Sequence, residues 1–167
     1  MNRNHYTLKG NTLTLFVKPA PIVVSVLMFV FSFMLFTLPI VGLIRYISEG
    51  NGIKAGFFLM IFIFSLLGFY LLRIALWNTY GKEEITFSNN LCTYTANYRW
   101  FKDGVKTEYF DTINFAKNPV GYLEDNNYTL VIEDFNAENE IMCVIKMPET
   151  TLEQLIRELK ENIGNAY

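Results

Sequence analysis

Two charge-free apolar runs, residues 22–44 and 55–72, stand back to back in this chain, and the ten residues between them hold Arg45, Glu49 and Lys54 together with Gly50-Asn51-Gly52. At a rise of about 1.5 Å per residue the runs span roughly 27–35 Å, close to the thickness of one hydrocarbon core. The pattern predicts a helical hairpin in a membrane, with helices over about 21–46 and 54–77, so that residues 21–78 form the anchor. The first run is too long for the apolar stretch of a secretory signal and is followed by no small-residue cleavage site, so it reads as a spanning helix. The hydroxyls of Ser25, Ser32, Thr37 and Ser65 are expected to bond back to their own helices, and Pro39 is a candidate kink. Gly52 and Gly56 make a GxxxG pair that reads as turn and helix start, with a close-packing face as the alternative. Neither run has an ionisable group at its middle, which argues for an anchor rather than a transport path.

Charge divides the chain. Residues 1–79 carry six basic side chains against Glu49 alone, whereas residues 80–167 carry eight basic and fifteen acidic ones. Arg3, Lys9, Lys18, Arg73 and Lys82 flank the outer ends of the runs, against Arg45 and Lys54 at the hinge. By the positive-inside rule both termini are expected in the cytoplasm. An acidic domain beside a membrane is repelled by anionic lipid headgroups and by nucleic acid, so neither phosphoinositide nor nucleic-acid binding is expected. The expected partners are the lipid bilayer, an unidentified protein and a second copy of the chain.

Beyond residue 80 the hydrophobic period falls to two. Residues 84–88 read as a strand, Asn89-Asn90 as a turn, and residues 91–100 as a strand with Cys92, Tyr94, Ala96, Tyr98 and Trp100 on one face. Lys102-Asp103-Gly104 reads as a hairpin turn with Gly104 supplying a positive φ. Residues 105–115 make a third strand, 116–127 a loop, and 128–135 with 141–147 a last hairpin around residues 136–139. The chain closes with an amphipathic helix bearing Leu152, Leu155, Ile156, Leu159 and Ile163. Thr150 is its expected N-cap, Glu153 completes a capping box, and Gly164 is the stop. Ahead of the membrane, residues 1–20 read as two short strands around Gly10-Asn11, positioned to join the later sheet if both termini share a side.

Little here carries chemistry. His5 is the sole histidine, and Cys92 and Cys143 are the only cysteines, in no metal-ligand spacing, so neither a metal nor a cofactor is expected. Both thiols are expected to be buried, free and inert. Glu124, Asp125, Asp134, Glu138 and Glu140 lack the spacing of a calcium loop and read as a solvated edge. Ser48 and Ser88 have no histidine nearby, and no glycine-rich phosphate loop occurs.

The hairpin, then Gly81-Lys82-Glu83-Glu84-Ile85-Thr86-Phe87, Leu91 in a tyrosine-rich strand, Asp103-Gly104, Lys106-Thr107-Glu108-Tyr109-Phe110-Asp111-Thr112-Ile113 and the final helix together resemble bacterial two-helix membrane proteins carrying a pleckstrin-homology-like domain. The resemblance implies an α+β membrane protein: a transmembrane hairpin plus a bent antiparallel sheet closed by a C-terminal helix, with residues 80–167 as a cytoplasmic domain at the bacterial cytoplasmic membrane. It implies a fold and a location and no activity; with no catalytic constellation in the chain, the expected function is a non-enzymatic binding or adapter module. The candidate binding residues are Arg99, Trp100, Phe101 and Lys102 at a hairpin tip, where Arg99, Lys102 and Lys106 mingle with Asp103 and Glu108. The alternative expectation is a small membrane immunity protein whose acidic domain meets a basic, membrane-acting toxin.

Overall fold

The computed structural model describes residues 5–121, 126–134 and 139–163. It comprises two units, one of Pro19–Thr79 and the other of Met1–Lys18 with Tyr80–Tyr167. The architecture is α+β, with three helices and two antiparallel sheets among the described residues.

In the first unit, α1 (Ile22–Ser48) and α2 (Ala55–Tyr80) are long and apolar enough to cross a membrane. Their apolar side chains are mostly turned outward: Ile22 is 79% and Phe58 62% exposed. A core helix of a water-soluble protein would hide these surfaces, since each fully buried Leu, Ile or Phe stabilises by about 1.5–3 kcal/mol. Gly50 ends α1 by taking φ +83°, with its N–H donating to the Ile47 carbonyl, while the Asn51 amide caps the Tyr46 carbonyl at 3.2 Å. Arg45 and Glu49 pair at 3.4 Å one turn apart on the exposed hinge.

One expectation about this hairpin needs correction, and Gly52 and Gly56 fall in the hinge and the first turn of α2 as read, without the close-packing alternative. Ser32 does not bond back to its own helix; its hydroxyl donates across to the Gly68 carbonyl of α2 at 2.8 Å. A buried hydroxyl needs a partner, and the missing side chain of Gly68 lets α1 come close enough to reach one. The tight approach is therefore at Gly68 and not at Gly52 or Gly56, around which there is open space. A Cβ at Gly68 would lie 3.0–3.2 Å from the Phe36 ring. Gly68→Ala is expected to weaken helix pairing by about 1–3 kcal/mol, the usual cost of overpacking. Comparing unfolding of the variant and native chains by denaturant in detergent micelles checks this.

The second unit holds both sheets. Five strands lie in the order β1 (Tyr6–Lys9), β2 (Thr12–Phe16), β3 (Lys82–Ser88), β4 (Leu91–Asn97) and β5 (Lys102–Tyr109). Three more follow as β6 (Ile113–Pro119), β7 (Asn127–Asp134) and β8 (Glu140–Pro148). β2 and β3 are direct neighbours, paired from Thr12↔Thr86 to Phe16↔Lys82, although both long helices intervene in sequence. The helical unit is thus an insertion between adjacent strands, and the N-terminal strands do join the later sheet. Asn89 and Asn90, at φ 45° and 66°, turn β3 into β4, a conformation asparagine tolerates better than most residues.

Alternation builds the core. Ile141, Cys143, Ile145 and Met147 point inward from β8, as Ile85 and Phe87 do from β3, and α3 (Glu149–Asn162) buries Leu152, Leu155 and Leu159. The single long strand expected over 105–115 is two. Phe110, fully buried, donates its N–H to the Asn90 carbonyl at 2.8 Å, and the chain crosses there from one sheet to the other. The loop expected from residue 116 begins later, because Ala116, Lys117, Asn118 and Pro119 pair with β7. Pro119 is tolerated at the end of β6, an edge strand. Thr150 is not the N-cap of α3: Pro148 occupies that position, Thr150 lies in the first turn, and no side chain caps the helix. Glu153, freed from a capping box, pairs instead with Lys117 at 2.9 Å, as Glu149 also does, tying the start of α3 to β6. Gly164, Glu124, Asp125, Glu138 and residues 136–138 lie outside the described residues.

Candidate binding loop and a buried carboxylate

The turn between β4 and β5 lies earlier than the alternation implies. β4 stops at Asn97, and Tyr98-Arg99-Trp100-Phe101 forms the loop, closed by the Tyr98 N–H donating to the Phe101 carbonyl at 2.9 Å. Arg99 sits at φ 75°, with its N–H held by the Asn97 side-chain oxygen at 2.9 Å. Gly104 does not make the turn; it takes φ +62° inside β5, where Gly104 and Val105 together oppose Thr95 of β4 in a bulge. Once Arg99 has turned the backbone left-handed, strand alternation ends. Trp100 therefore points away from the face of Cys92 and Ala96 and is 61% exposed.

The four candidate residues are adjacent, but each has a different setting. The Phe101 ring stacks on Tyr98 at 4.7 Å between centroids, and Tyr98 is buried. The Arg99 guanidinium lies 4.5 Å over the ring of Tyr80, the last residue of α2. Lys102 pairs with Glu84 at 2.9 Å; Lys82 reaches the same carboxylate at 2.6 Å and the Asn97 amide donates to it at 3.2 Å. Partial burial opposes the charge on Glu84, but the two lysines prevail and hold its carboxyl down to about 2. Only Trp100 offers a large apolar surface to the outside. Among the aromatic residues of 94–110, Phe110 and Tyr98 are buried, whereas Trp100 and Tyr109 are exposed.

A left-handed arginine is costly. A non-glycine residue there loses about 1–2 kcal/mol, and the contact with Tyr80 returns about 0.5–1 kcal/mol at an exposed site. Arg99→Gly is therefore expected to leave the stability of the sheet unit nearly unchanged, within ~1 kcal/mol. Urea unfolding followed by circular dichroism checks this.

Glu83 is the polar residue that the linear reading passed over. It shares the inward parity of Ile85 and Phe87 and is completely buried. In β8 the pairing with β7 jumps from Lys146 to Met142 while β7 advances only from Thr129 to Val131. The bulge turns two N–H groups toward Glu83: Val144 donates to Oε1 at 2.7 Å and Ile145 to Oε2 at 3.2 Å, while the Tyr94 hydroxyl donates to Oε1 at 2.7 Å. One carboxylate thus bridges β3 and β4 of one sheet to β8 of the other. Burial raises its pKa above the ordinary value, against the pull of these three hydrogen bonds. Alternation that places a glutamate between core positions was the available signal.

Cys92 and Cys143 are buried and free. Burial pushes the Cys92 thiol up to about 12 and raises Cys143 as well, so neither is a ready nucleophile. Asp134 is buried and accepts from the Thr112 N–H at 3.2 Å, a structural bond at the sheet crossover, and Glu140 is exposed. Among the described residues no group of three His, Cys, Asp or Glu side chains is placed to hold a metal ion. A shallow cavity of about 370 Å³ lies between β6 and α3, lined by Phe115, Lys117, Ile156 and Arg157 among others. Compared with family models, curated proteins and solved structures, the chain has no match in any of the three.

Proposed function

We propose that this protein is a membrane-anchored binding module. In this reading α1 and α2 cross a bacterial cytoplasmic membrane as a hairpin, and the double sheet closed by α3 is a pleckstrin-homology-like domain in the cytoplasm. The domain makes and breaks no covalent bonds; it presents the 98–101 loop to a protein or to a ligand close to the lipid surface. Fixing such a loop at a membrane raises its effective concentration for partners there.

The observation that carries this reading is the pairing of β2 with β3. Two helices that leave and re-enter one sheet at adjacent strands would, in a bilayer, cross it as a pair with both outer ends on one side. The cation excess at those ends favours the cytoplasm. Because both native thiols are buried, the unmodified chain serves as its own blank for labelling. A reporter cysteine at Asn51 is expected to react with an impermeant maleimide added to intact cells, and one at Lys160 only after permeabilisation. The reverse pattern would overturn the orientation, and equal labelling of both would overturn the hairpin. A photo-crosslinking residue at Trp100 is then expected to yield adducts that the same residue at Thr95 does not; equal yields would remove the loop as the binding face.

A further inference from the structure

We infer that the slot between β6 and α3 takes up an extended, basic and apolar segment of a partner protein as an added strand on the free edge of β6. This goes beyond the reading above. It lies wholly within the sheet unit, uses none of the 98–101 loop, and names a second surface with its own partner chemistry.

Three observations meet at the slot. The first is an unpaired backbone edge. β6 is an outer strand of the three-stranded sheet and pairs only with β7. The Val120 N–H donates to the Asn127 carbonyl at 3.0 Å. Groups alternate along an antiparallel ladder, so Asn118 and Ala116 face β7, while the N–H and C=O of Lys117 and Phe115 face away. Among the described residues neither of these N–H groups meets another backbone acceptor. The cavity of about 370 Å³ touches Phe115, Ala116 and Lys117 in succession. Successive side chains of a strand point to opposite faces, so a hollow that meets all three runs along the edge itself.

The second observation is apolar surface left uncovered. Of the apolar stripe on α3, Leu152, Leu155, Leu159 and Ile163 are buried, whereas Ile156 stays half-exposed and lines the slot opposite Phe115. An added strand would cover Ile156 with alternate side chains while its main chain bonds to β6, a mode in which the ladder gives affinity and the side chains give specificity.

Charge is the third. A lysine on an edge strand ordinarily blunts the edge against pairing. Lys117 is instead folded onto α3, against Glu149 and, at 2.9 Å, Glu153. The edge is left open, and two carboxylates share one ammonium. Residues 80–167 carry fifteen acidic side chains against eight basic ones. The local imbalance and the wider field both attract a cationic segment. Arg157 also lines the slot, about two helical turns from Glu149. The basic residue of the segment therefore belongs beside Glu149 and Glu153, and its apolar residues over Phe115 and Ile156.

The test uses the full chain in detergent micelles and a fluorescein-labelled peptide that reads threonine, valine, threonine, valine, threonine, lysine, threonine. On one face it presents two valines and the lysine. Saturable binding is expected by anisotropy, with amide exchange at Phe115 and Lys117 slowed at least about tenfold. The same peptide with glutamate for lysine is expected to bind about fivefold more weakly or worse. Lys117→Ala keeps the outward N–H and frees both carboxylates, so binding is expected to tighten, by up to about fivefold. Lys117→Pro also removes that N–H, at a position where an edge strand tolerates proline. It is expected to bind about fivefold more weakly than Lys117→Ala, the effect of one backbone hydrogen bond. Exchange on the native chain decides the matter even if the proline variant does not fold. No slowing at Phe115 and Lys117 with peptide up to about 1 mM would overturn the inference. So would protection that appears on β1, β5 or β8 instead. Equal binding of the glutamate peptide would reject a basic partner, and equal affinities for the alanine and proline variants would reject the added strand. Protection that rises with protein concentration in the absence of peptide would assign the edge to a second copy of the chain and overturn the partner named here.

Discussion

Glu83→Ala is expected to destabilise the sheet unit by about 3–5 kcal/mol, because it leaves three buried donors without an acceptor at 1–3 kcal/mol each. The Tyr94 hydroxyl and the Val144 and Ile145 N–H groups converge on this carboxylate from both sheets. Neither N–H regains a ladder partner, because the bulge in β8 has turned both out of register with β7. Equilibrium unfolding in urea measures the loss; a change below ~1 kcal/mol would mean that water or a rearranged β8 takes over the bonds. Glu83→Gln separates shape from charge. It keeps an acceptor for the two donors at Oε1 but sets an amide N–H against Ile145, so a smaller loss is expected. The native carboxyl has its pKa raised by burial above the ordinary value of 4.5. Its proton is therefore bound more tightly in the folded than in the unfolded chain. The stability this linkage contributes is full below pH 4.5 and is lost as pH rises through the raised folded pKa. Glu83→Gln has no proton to lose, so its deficit relative to the native chain should shrink as pH rises across that window. A difference between the two chains that is independent of pH would show that the folded pKa is not raised.

Phe110→Ala is expected to cost about 3–5 kcal/mol, as for other fully buried aromatic rings cut back to a methyl group. Phe110 is the hinge between the sheets: β5 ends one residue before it, β6 begins three residues after it, and its N–H closes onto the β3–β4 turn at Asn90. The lost ring leaves a cavity at the junction that relaxation of either sheet alone cannot fill. Tyr109→Ala, one residue away and half-exposed, provides the contrast. Its loss is expected to fall below ~1 kcal/mol, and comparable losses at the two positions would contradict the crossover as drawn.

The helices were the most legible part of the chain. A charge-free apolar run needs only length and composition to declare itself, and the observed helices overrun the expected limits by a few residues at most. The period-two strands were legible in number only approximately, since residues 105–115 alternate smoothly through the corner at Phe110. Nothing local distinguishes a strand that continues from one that bends into a second sheet. The candidate loop was identified in composition but misplaced in geometry. Gly104 was the natural choice for a turn, yet the chain turns at Arg99, a residue type that rarely takes a positive φ, and spends the glycine on a bulge at the third residue of β5.

From its sequence alone this protein is an α+β chain: two apolar helices, an acidic strand-rich remainder and an amphipathic closing helix. Those properties follow from hydrophobic periodicity and charge, which act over a few residues and can be read along a line. Tertiary structure alone decided that β2 pairs with β3 around the inserted helices, that Glu83 joins the two sheets, and that Arg99 rests on Tyr80 with Trp100 turned outward. Each depends on groups far apart in sequence satisfying one another's hydrogen bonds, charge or surface, and register and bulges fix those meetings only when the whole sheet forms.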